Sequence, residues 1–333
     1  MITLNVQNPH DKFFKETFSN SEVVKDFIQH YFPPVLLNLV DLNSIQPQKD
    51  SFINKDLQEH FSDMLFRLNI NEQQGYLYLL FEHKSFVSQN ISIQLLKYMI
   101  EIWQAKKTKE QQSHVPIIIP LVIFHGKDKW NTPRSLGELI DGYMSLPKKV
   151  KKYVPDYEYI LYDISSYEDE EIKGVAQLKI LLTIFRDIFT EEQDILRNSI
   201  QRSTEYLLEL EDQTTAIQYF ETFFRYIFHT AGELTDQDFR DIIEHVEKTY
   251  PEGSELVMTL AERFQEKGRQ QGIHQGETKA LAKTAIKLIA KYIAPVPEKM
   301  AEQIKKQDIS TLETIIENVY EHQNLKEIER YLT

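Results

Sequence analysis

The chain has 333 residues, 41% hydrophobic and 27% charged, with no cysteine and a net charge of −13. That length buries a sizeable core and predicts two domains, while the missing cysteine excludes disulfides and thiolate metal sites. The longest uncharged apolar run, Val115 to Phe124, is interrupted by Pro116 and Pro120 and falls well short of the roughly 20 residues that span a bilayer. No membrane segment is expected, nor a secretory signal, since the N-terminus lacks a basic and apolar leader; a cytoplasmic location is the expectation.

The charge is uneven. Residues 1–150 hold 16 Lys+Arg and 16 Asp+Glu, whereas residues 151–333 hold 22 basic and 35 acidic side chains, so the whole excess is C-terminal. A strongly acidic protein makes a poor nucleic-acid binder, because phosphate neutralisation dominates that affinity. The neutral first half escapes this objection. It also carries three basic groups: Lys106, Lys107 and Lys109; Lys127, Lys129 and Arg134; and Lys148, Lys149, Lys151 and Lys152. Each fits a solvated face as well as a DNA contact.

In chain order, Phe13, Phe14, Phe18, Val24, Phe27, Ile28 and Tyr31 recur at helical spacing, with a break at Ser19-Asn20 that caps a second helix. Pro33-Pro34 stops it and starts a short third helix through Leu36, Leu37 and Val40. Strands follow: one ending at Ser51-Phe52-Ile53, then Phe61 to Ile70, then Tyr76 to Ser85, the last two joined by a hairpin loop over Asn71 to Gly75. An amphipathic helix is predicted from Ile91 to about Gln112, burying Leu95, Tyr98, Met99 and Ile102. Buried strands are predicted at Ile117–Phe124 and Tyr159–Ile164, and everything after about Glu168 reads as helical. The expected architecture is an α/β domain with a mixed sheet over residues 1–190, then an acidic all-helical region over 191–333.

Chemistry concentrates in Phe81-Glu82-His83-Lys84-Ser85. Strand alternation gives Glu82 and Lys84 one face, and two ionisable groups ending a buried strand are costly unless paired or used. If Ile70 pairs with Tyr76, the hairpin centre falls near residue 73 and Asp63 lies opposite His83, within one residue of Glu82 and Lys84. Two readings fit this pattern. One is a surface ion pair on neighbouring strands, which contributes little to stability. The other is a metal-dependent hydrolytic centre, in which a divalent cation relieves the repulsion between Asp63 and Glu82.

Six stretches in order carry a resemblance: HDKFFKETFSN (10–20), DFIQHYFPP (26–34), DSFINKDLQEHFSDMLFR (50–67), YLYLLFEHKS (76–85), LLKYMIEIW (95–103) and PIIIPLVIFHG (116–126), with Trp130 just after. From His10 to Trp130 the sequence resembles the Rpn family of recombination-promoting nucleases. The resemblance implies a PD-(D/E)XK restriction-endonuclease-like fold with an αβββαβ core, and metal-dependent DNA cleavage linked to recombination or mobile elements. It implies Asp63, Glu82 and Lys84 as the catalytic set, with Mg²⁺ or Mn²⁺ held by Asp63, Glu82 and the backbone carbonyl of His83. Many family members have Gln at the position of Lys84. By analogy with related nucleases, Gln94 and Tyr98, at i,i+4 on one helix face, become candidate DNA contacts; the other reading makes Tyr98 a core aromatic. Ser85 is a further candidate for a phosphate contact.

Among the remaining residues, Asp11 suits a helix N-terminus or an outer acid of the site, and His125 either lines the cleft or is structural. Gly268, Gly272 and Gly276 recur every four residues, which suits helix-helix self-association or a flexible linker. A non-cleaving DNA-binding or protein-interaction protein on the same fold, and an RNA nuclease, are the alternative readings.

Overall fold

The computed structural model describes residues 9–48, 62–82, 89–109, 114–230 and 235–332. Two helices open the fold, α1 (Pro9–Phe18) and α2 (Ser21–Tyr31). Both are amphipathic, burying Phe13, Phe14 and Phe18 on α1 and Val23, Val24, Phe27 and Ile28 on α2. Asn20 caps α2, its side chain accepting from the Glu22 amide at 3.0 Å, which satisfies one of the orphan amides of the first turn. A single turn, α3 (Pro34–Leu37), follows with proline at its start.

The sheet has five strands in the order β1-β2-β3-β4-β5: β1 (Val40–Gln48), β2 (Ser62–Ile70), β3 (Gln73–Glu82), β4 (Ile117–Phe124) and β5 (Ile160–Asp163). The first three pair antiparallel; β3–β4 and β4–β5 pair parallel. One parallel crossover carries α4 (Ile91–Lys109) and the other a short helix α5 (Lys148–Lys151). The expected mixed α/β sheet is therefore present. β1 was not expected. Val40, assigned to a helix by the sequence, begins an edge strand that fully buries only Ile45, slips register between Asp41 and Gln46, and contains Pro47. An edge strand tolerates all three, and each of them removes the alternating signature of a strand. The strand expected to end at Ser51-Phe52-Ile53 lies outside the described residues.

The hairpin turn also differs from expectation. Ile70 pairs with Gln73, so the connection is the two residues Asn71 and Glu72, with φ of 50° and 61°. Positive φ at both central positions is the primed turn that matches strand twist. It was hidden because Glu occupies a position where glycine is usual. Gly75 belongs to β3 instead of the loop: a Cβ there would meet Ile70 Cδ1 at 2.6 Å and the Ile117 carbonyl at 3.0 Å, so its role is close approach within the sheet.

Each face of the sheet is covered. On one, Leu65, Tyr76, Tyr78, Leu80, Ile118 and Val122 pack against Ile91, Leu95, Tyr98, Met99 and Ile102 of α4. On the other, α1 lies against β2 and α2 against β1, and both touch α6 (Ala176–Asp187). Helices α7 (Gln193–Leu207), α8 (Gln213–Thr230) and α9 (Asp236–Thr249) continue this layer, α8 packing on α1.

The chain forms two compact units, Met1–Met258 and Thr259–Thr333. The long helix α10 (Ser254–Tyr292) includes Gly268, Gly272 and Gly276. In the second unit, Ala282, Ala285 and Ile289 of α10 form a core with Met300 and Ile304 of α11 (Glu298–Lys305), Leu312 and Ile315 of α12 (Ile309–Asn318), and Ile328 of α13 (Leu325–Glu329). Among the described residues, no helix is long and apolar enough to cross a membrane.

Candidate active site

Strand pairing places the two candidate acids. Asp63 is paired with Leu80, Ser62 with Phe81, and Glu82 closes β3 opposite Phe124 of β4. Leu80 and Glu82 are two residues apart, so the pleat gives them one parity, and a directly paired residue shares the parity of its partner. The register positions of Asp63 and Glu82 are thus diagonal neighbours on one face, the face that packs against α4. This corrects the expectation that Asp63 lies opposite His83. That register came from a five-residue loop; the two-residue turn shifts the pairing by three positions. An odd shift reverses the face of a whole strand, and here it brings Asp63 from the face of His83 to that of Glu82. His83, Lys84 and Ser85 lie outside the described residues. Among the described residues there is no cluster of three metal-ligating side chains; the side chains of Asp63 and Glu82 are not among those described.

Around this edge, α4 contributes Gln94 and Tyr98. Tyr98 is 1% exposed and its ring packs against Tyr78 with centroids 5.2 Å apart, so it is a core aromatic at one turn from the half-buried Gln94. Among the described residues, the Gln94 Nε2 is enclosed without a hydrogen-bond partner, and so is the Ser92 Oγ in the first turn. Orphaned buried polar atoms are rare in folded proteins and mark places that a ligand or water completes. These two sit where the chain enters α4, directly after the segment that follows Glu82.

The opposite face holds a second polar group that sequence reasoning read only in part. His125, the residue after β4, is fully buried, stacked on Phe185 at 4.1 Å between ring centroids, with Nδ1 3.2 Å from the Phe185 carbonyl. His10 lies 5.1 Å from it, ring to ring, and its Nδ1 is 2.9 Å from the Tyr226 hydroxyl. Burial holds the Tyr226 phenol well above its ordinary pKa. His125 is therefore a core residue and does not line a cleft. The pairing of His10 with Tyr226 spans 216 positions, and no local signal announces it. Asp11 stands in the first turn of α1, where a carboxylate suits the helix dipole.

Of the three basic groups, two are partly absorbed by the fold. Lys106 is 3% exposed, its ammonium 4.9 Å from the Tyr76 ring centroid, and Lys127 pairs with Glu191 at 2.6 Å. The group at Lys148–Lys152 stays at the surface.

With this geometry in place, the comparisons with known proteins are specific. The family model described as "Putative transposase, YhgA-like" matches residues 8–218, and the chain belongs to that family. It is 27% identical over 270 residues to the inactive recombination-promoting nuclease-like protein RpnE of Escherichia coli K12, covering 81% of this chain and 86% of the relative. It is 26% identical to the recombination-promoting nuclease RpnD of Escherichia coli O157:H7, covering 79% and 96%, and 27% identical to RpnA of strain K12, covering 79% and 85%. No solved structure matches the chain. The Rpn resemblance read from the sequence is confirmed, and with it membership of a nuclease and recombination family in which some relatives carry the name inactive.

Proposed function

We propose that the protein is a metal-dependent DNA endonuclease of the PD-(D/E)XK type that hydrolyses phosphodiester bonds. The observation that carries this reading is the register, which gives Asp63 and Glu82 diagonal positions on one face at the end of adjacent strands. The element order supports it: helices, three antiparallel strands, a crossover helix and a parallel strand, in keeping with an αβββαβ core. The nuclease names of RpnA and RpnD support it as well.

Two carboxylates at neighbouring positions raise each other's pKa unless a cation lies between them. Mg²⁺ takes one or two protein carboxylates and keeps several waters, so Asp63, Glu82 and the His83 carbonyl are a suitable set for Mg²⁺ or Mn²⁺. When bound, such a cation supplies polarisation of a phosphoryl oxygen and a water of lowered pKa. Lys84 is assigned the positioning of the attacking water and stabilisation of charge on the phosphate. In the reaction a water oxygen bonds to phosphorus, the phosphorus–oxygen ester bond breaks, and the proton ends on the leaving oxygen. Gln94, with its unpartnered amide at the mouth of α4, is the better placed of the two candidate DNA contacts on that helix; Tyr98 holds the helix to the sheet.

Plasmid nicking in Mg²⁺, Mn²⁺ or EDTA, run beside Asp63→Ala, tests the reading. Cutting is expected with metal alone, and the variant should lose about a thousandfold in rate while keeping its circular dichroism spectrum. Undiminished cutting by the folded variant would sink the site assignment. A second reading, a non-cleaving DNA-binding or protein-interaction protein, has support from the relative named inactive; it predicts a folded wild type that cuts with no metal. Cleavage of RNA in preference to DNA would keep the site and change the substrate.

A further inference from the structure

The connection from β4 to β5 is built to present a charged surface. Residues 142–155 hold four lysines and no acid, in a chain with 51 acids and a net charge of −13. Lys148, Lys149 and Lys152 are exposed and Lys151 half-exposed. None of the four is within ion-pair distance of a carboxylate among the described residues; Lys151 and Lys152 instead lie 4.7 and 4.9 Å from the ring centroids of Tyr143 and Tyr153. Beside them stand two large apolar side chains turned outward, Met144 at 67% and Tyr153 at 78% exposed. A solvated face made for solubility needs neither unpaired charge of one sign nor exposed aromatic surface.

This segment is held in shape. Tyr143 is 7% exposed and lies over Gly137 so closely that a Cβ there would come within 2.3 Å of its ring. Asp156 ties both ends, accepting from the Gly137 amide at 2.7 Å and from the Tyr143 hydroxyl at 2.9 Å. Asp156 itself is exposed, but each of its two carboxylate oxygens is engaged in this clamp. Below the clamp, the Ser135–Glu158 bridge closes the stalk. The stalk is attached at the entrance to α4: the Tyr157 hydroxyl donates to the Ser92 carbonyl, and Gln89 Nε2 donates to Asn131 Oδ1 at 3.4 Å. These are the residues that follow the chain out of Glu82.

We propose that the 142–153 platform is a second DNA-docking surface, in which Lys148, Lys149, Lys151 and Lys152 bind backbone phosphates of the duplex whose bond is cut at the Asp63/Glu82 edge. The inference rests on the nuclease reading. The occupant follows from charge: a row of unpaired lysines on an otherwise acidic chain fits a regular array of phosphates, and a preformed platform loses little conformational entropy on binding. Tyr153 adds a flat face beside the phosphates.

The test is fluorescence anisotropy of the full-length protein on a 30-base-pair duplex in EDTA, so that binding is read without cutting, over a range of salt. The comparison is the quadruple variant Lys148→Gln, Lys149→Gln, Lys151→Gln, Lys152→Gln, the corresponding quadruple Lys→Arg variant, and Asp63→Ala. Affinity of the Gln variant should fall on the order of a hundredfold at 0.1 M salt, and its log–log salt slope should flatten by about 3 to 4, close to 0.9 for each phosphate no longer neutralised. The Arg variant should bind as the wild type. Unchanged affinity and slope in the Gln variant would overturn the proposal. So would loss of binding to vesicles containing phosphatidylserine with DNA binding intact, which would make the platform a membrane contact. If the wild type cuts nothing but the Gln variant still loses DNA binding, the docking surface stands and the nuclease reading falls.

Discussion

The two faces of the sheet are built differently. The face toward α4 is covered by one helix and is rich in tyrosine: Tyr76, Tyr78, Tyr98 and Tyr159 are buried there. Each brings a hydroxyl that has to be placed, as the Tyr159 hydroxyl is on the Pro133 carbonyl at 2.8 Å. The opposite face is covered by a layer of helices, α1, α2, α6 and α8, and is rich in phenylalanine: Phe13, Phe14, Phe18, Phe27, Phe185 and Phe220 are all within 1% of full burial. Phenylalanine packs by shape and area alone, whereas a tyrosine-lined face keeps polar atoms within the packing, beside the edge proposed above as the active site. The helical layer also buries Tyr219, Tyr226 and His125, so the contrast is one of proportion; the register positions of Asp63 and Glu82 fall on the face toward α4.

Substitutions can break this contrast. Phe14→Ala, at 0% exposure and stacked on Phe18 at 4.6 Å, should cost about 3–5 kcal/mol in urea denaturation; a loss below about 1 kcal/mol would mean that the helical layer is not the stabilising side. On the face toward α4, Gln94→Met should raise stability by about 1 kcal/mol, because it removes an enclosed amide that has no partner among the described residues. The same variant should lower plasmid nicking, a trade of activity for stability expected at a functional position. A Met variant with wild-type cutting would make Gln94 a packing residue only.

The smallest effect concerns pH. Asp169, beyond β5, takes hydrogen bonds from Arg202 and then Arg186, which hold its carboxyl below its ordinary value. A depressed carboxyl pKa contributes stability above the unfolded value, about 3.9, and the contribution is lost as pH falls through the folded value. The acid melting curve of the wild type should therefore fall more steeply below about pH 4 than that of Asp169→Asn. Since the carboxylate is 47% exposed, the difference should be small and should shrink in high salt. Parallel curves would show that the Arg186–Asp169–Arg202 network adds nothing to the helical layer.

Much of this was legible from sequence, for identifiable reasons. The spacing of Phe13, Phe14 and Phe18 and the cap at Asn20 define α1 and α2 locally, and the uncharged apolar run of β4 marks a strand covered on both faces. Features fixed by distant contacts were not legible. β1 fully buries only Ile45, because it is an edge. The turn at Asn71-Glu72 lacks its usual glycine, so the register read from sequence is off by three positions, and the face of Asp63 with it. The platform at 142–153 depends on Tyr143 meeting Gly137 and Asp156, and His125 on a stacking partner 60 positions away. The acids were legible in the strand pattern, the catalytic reading of them came from the resemblance, and their common face came from the pairing.

The position of those acids has an evolutionary consequence. Asp63 lies one residue from the start of β2 and Glu82 at the end of β3, while the buried body of the hairpin, Leu65 to Ile70 and Tyr76 to Leu80, is assembled without either. On the proposed function, a lineage that loses one of these carboxylates keeps the buried body of the hairpin. On that reading, this arrangement accounts for a family in which a relative named inactive stands beside relatives named nucleases.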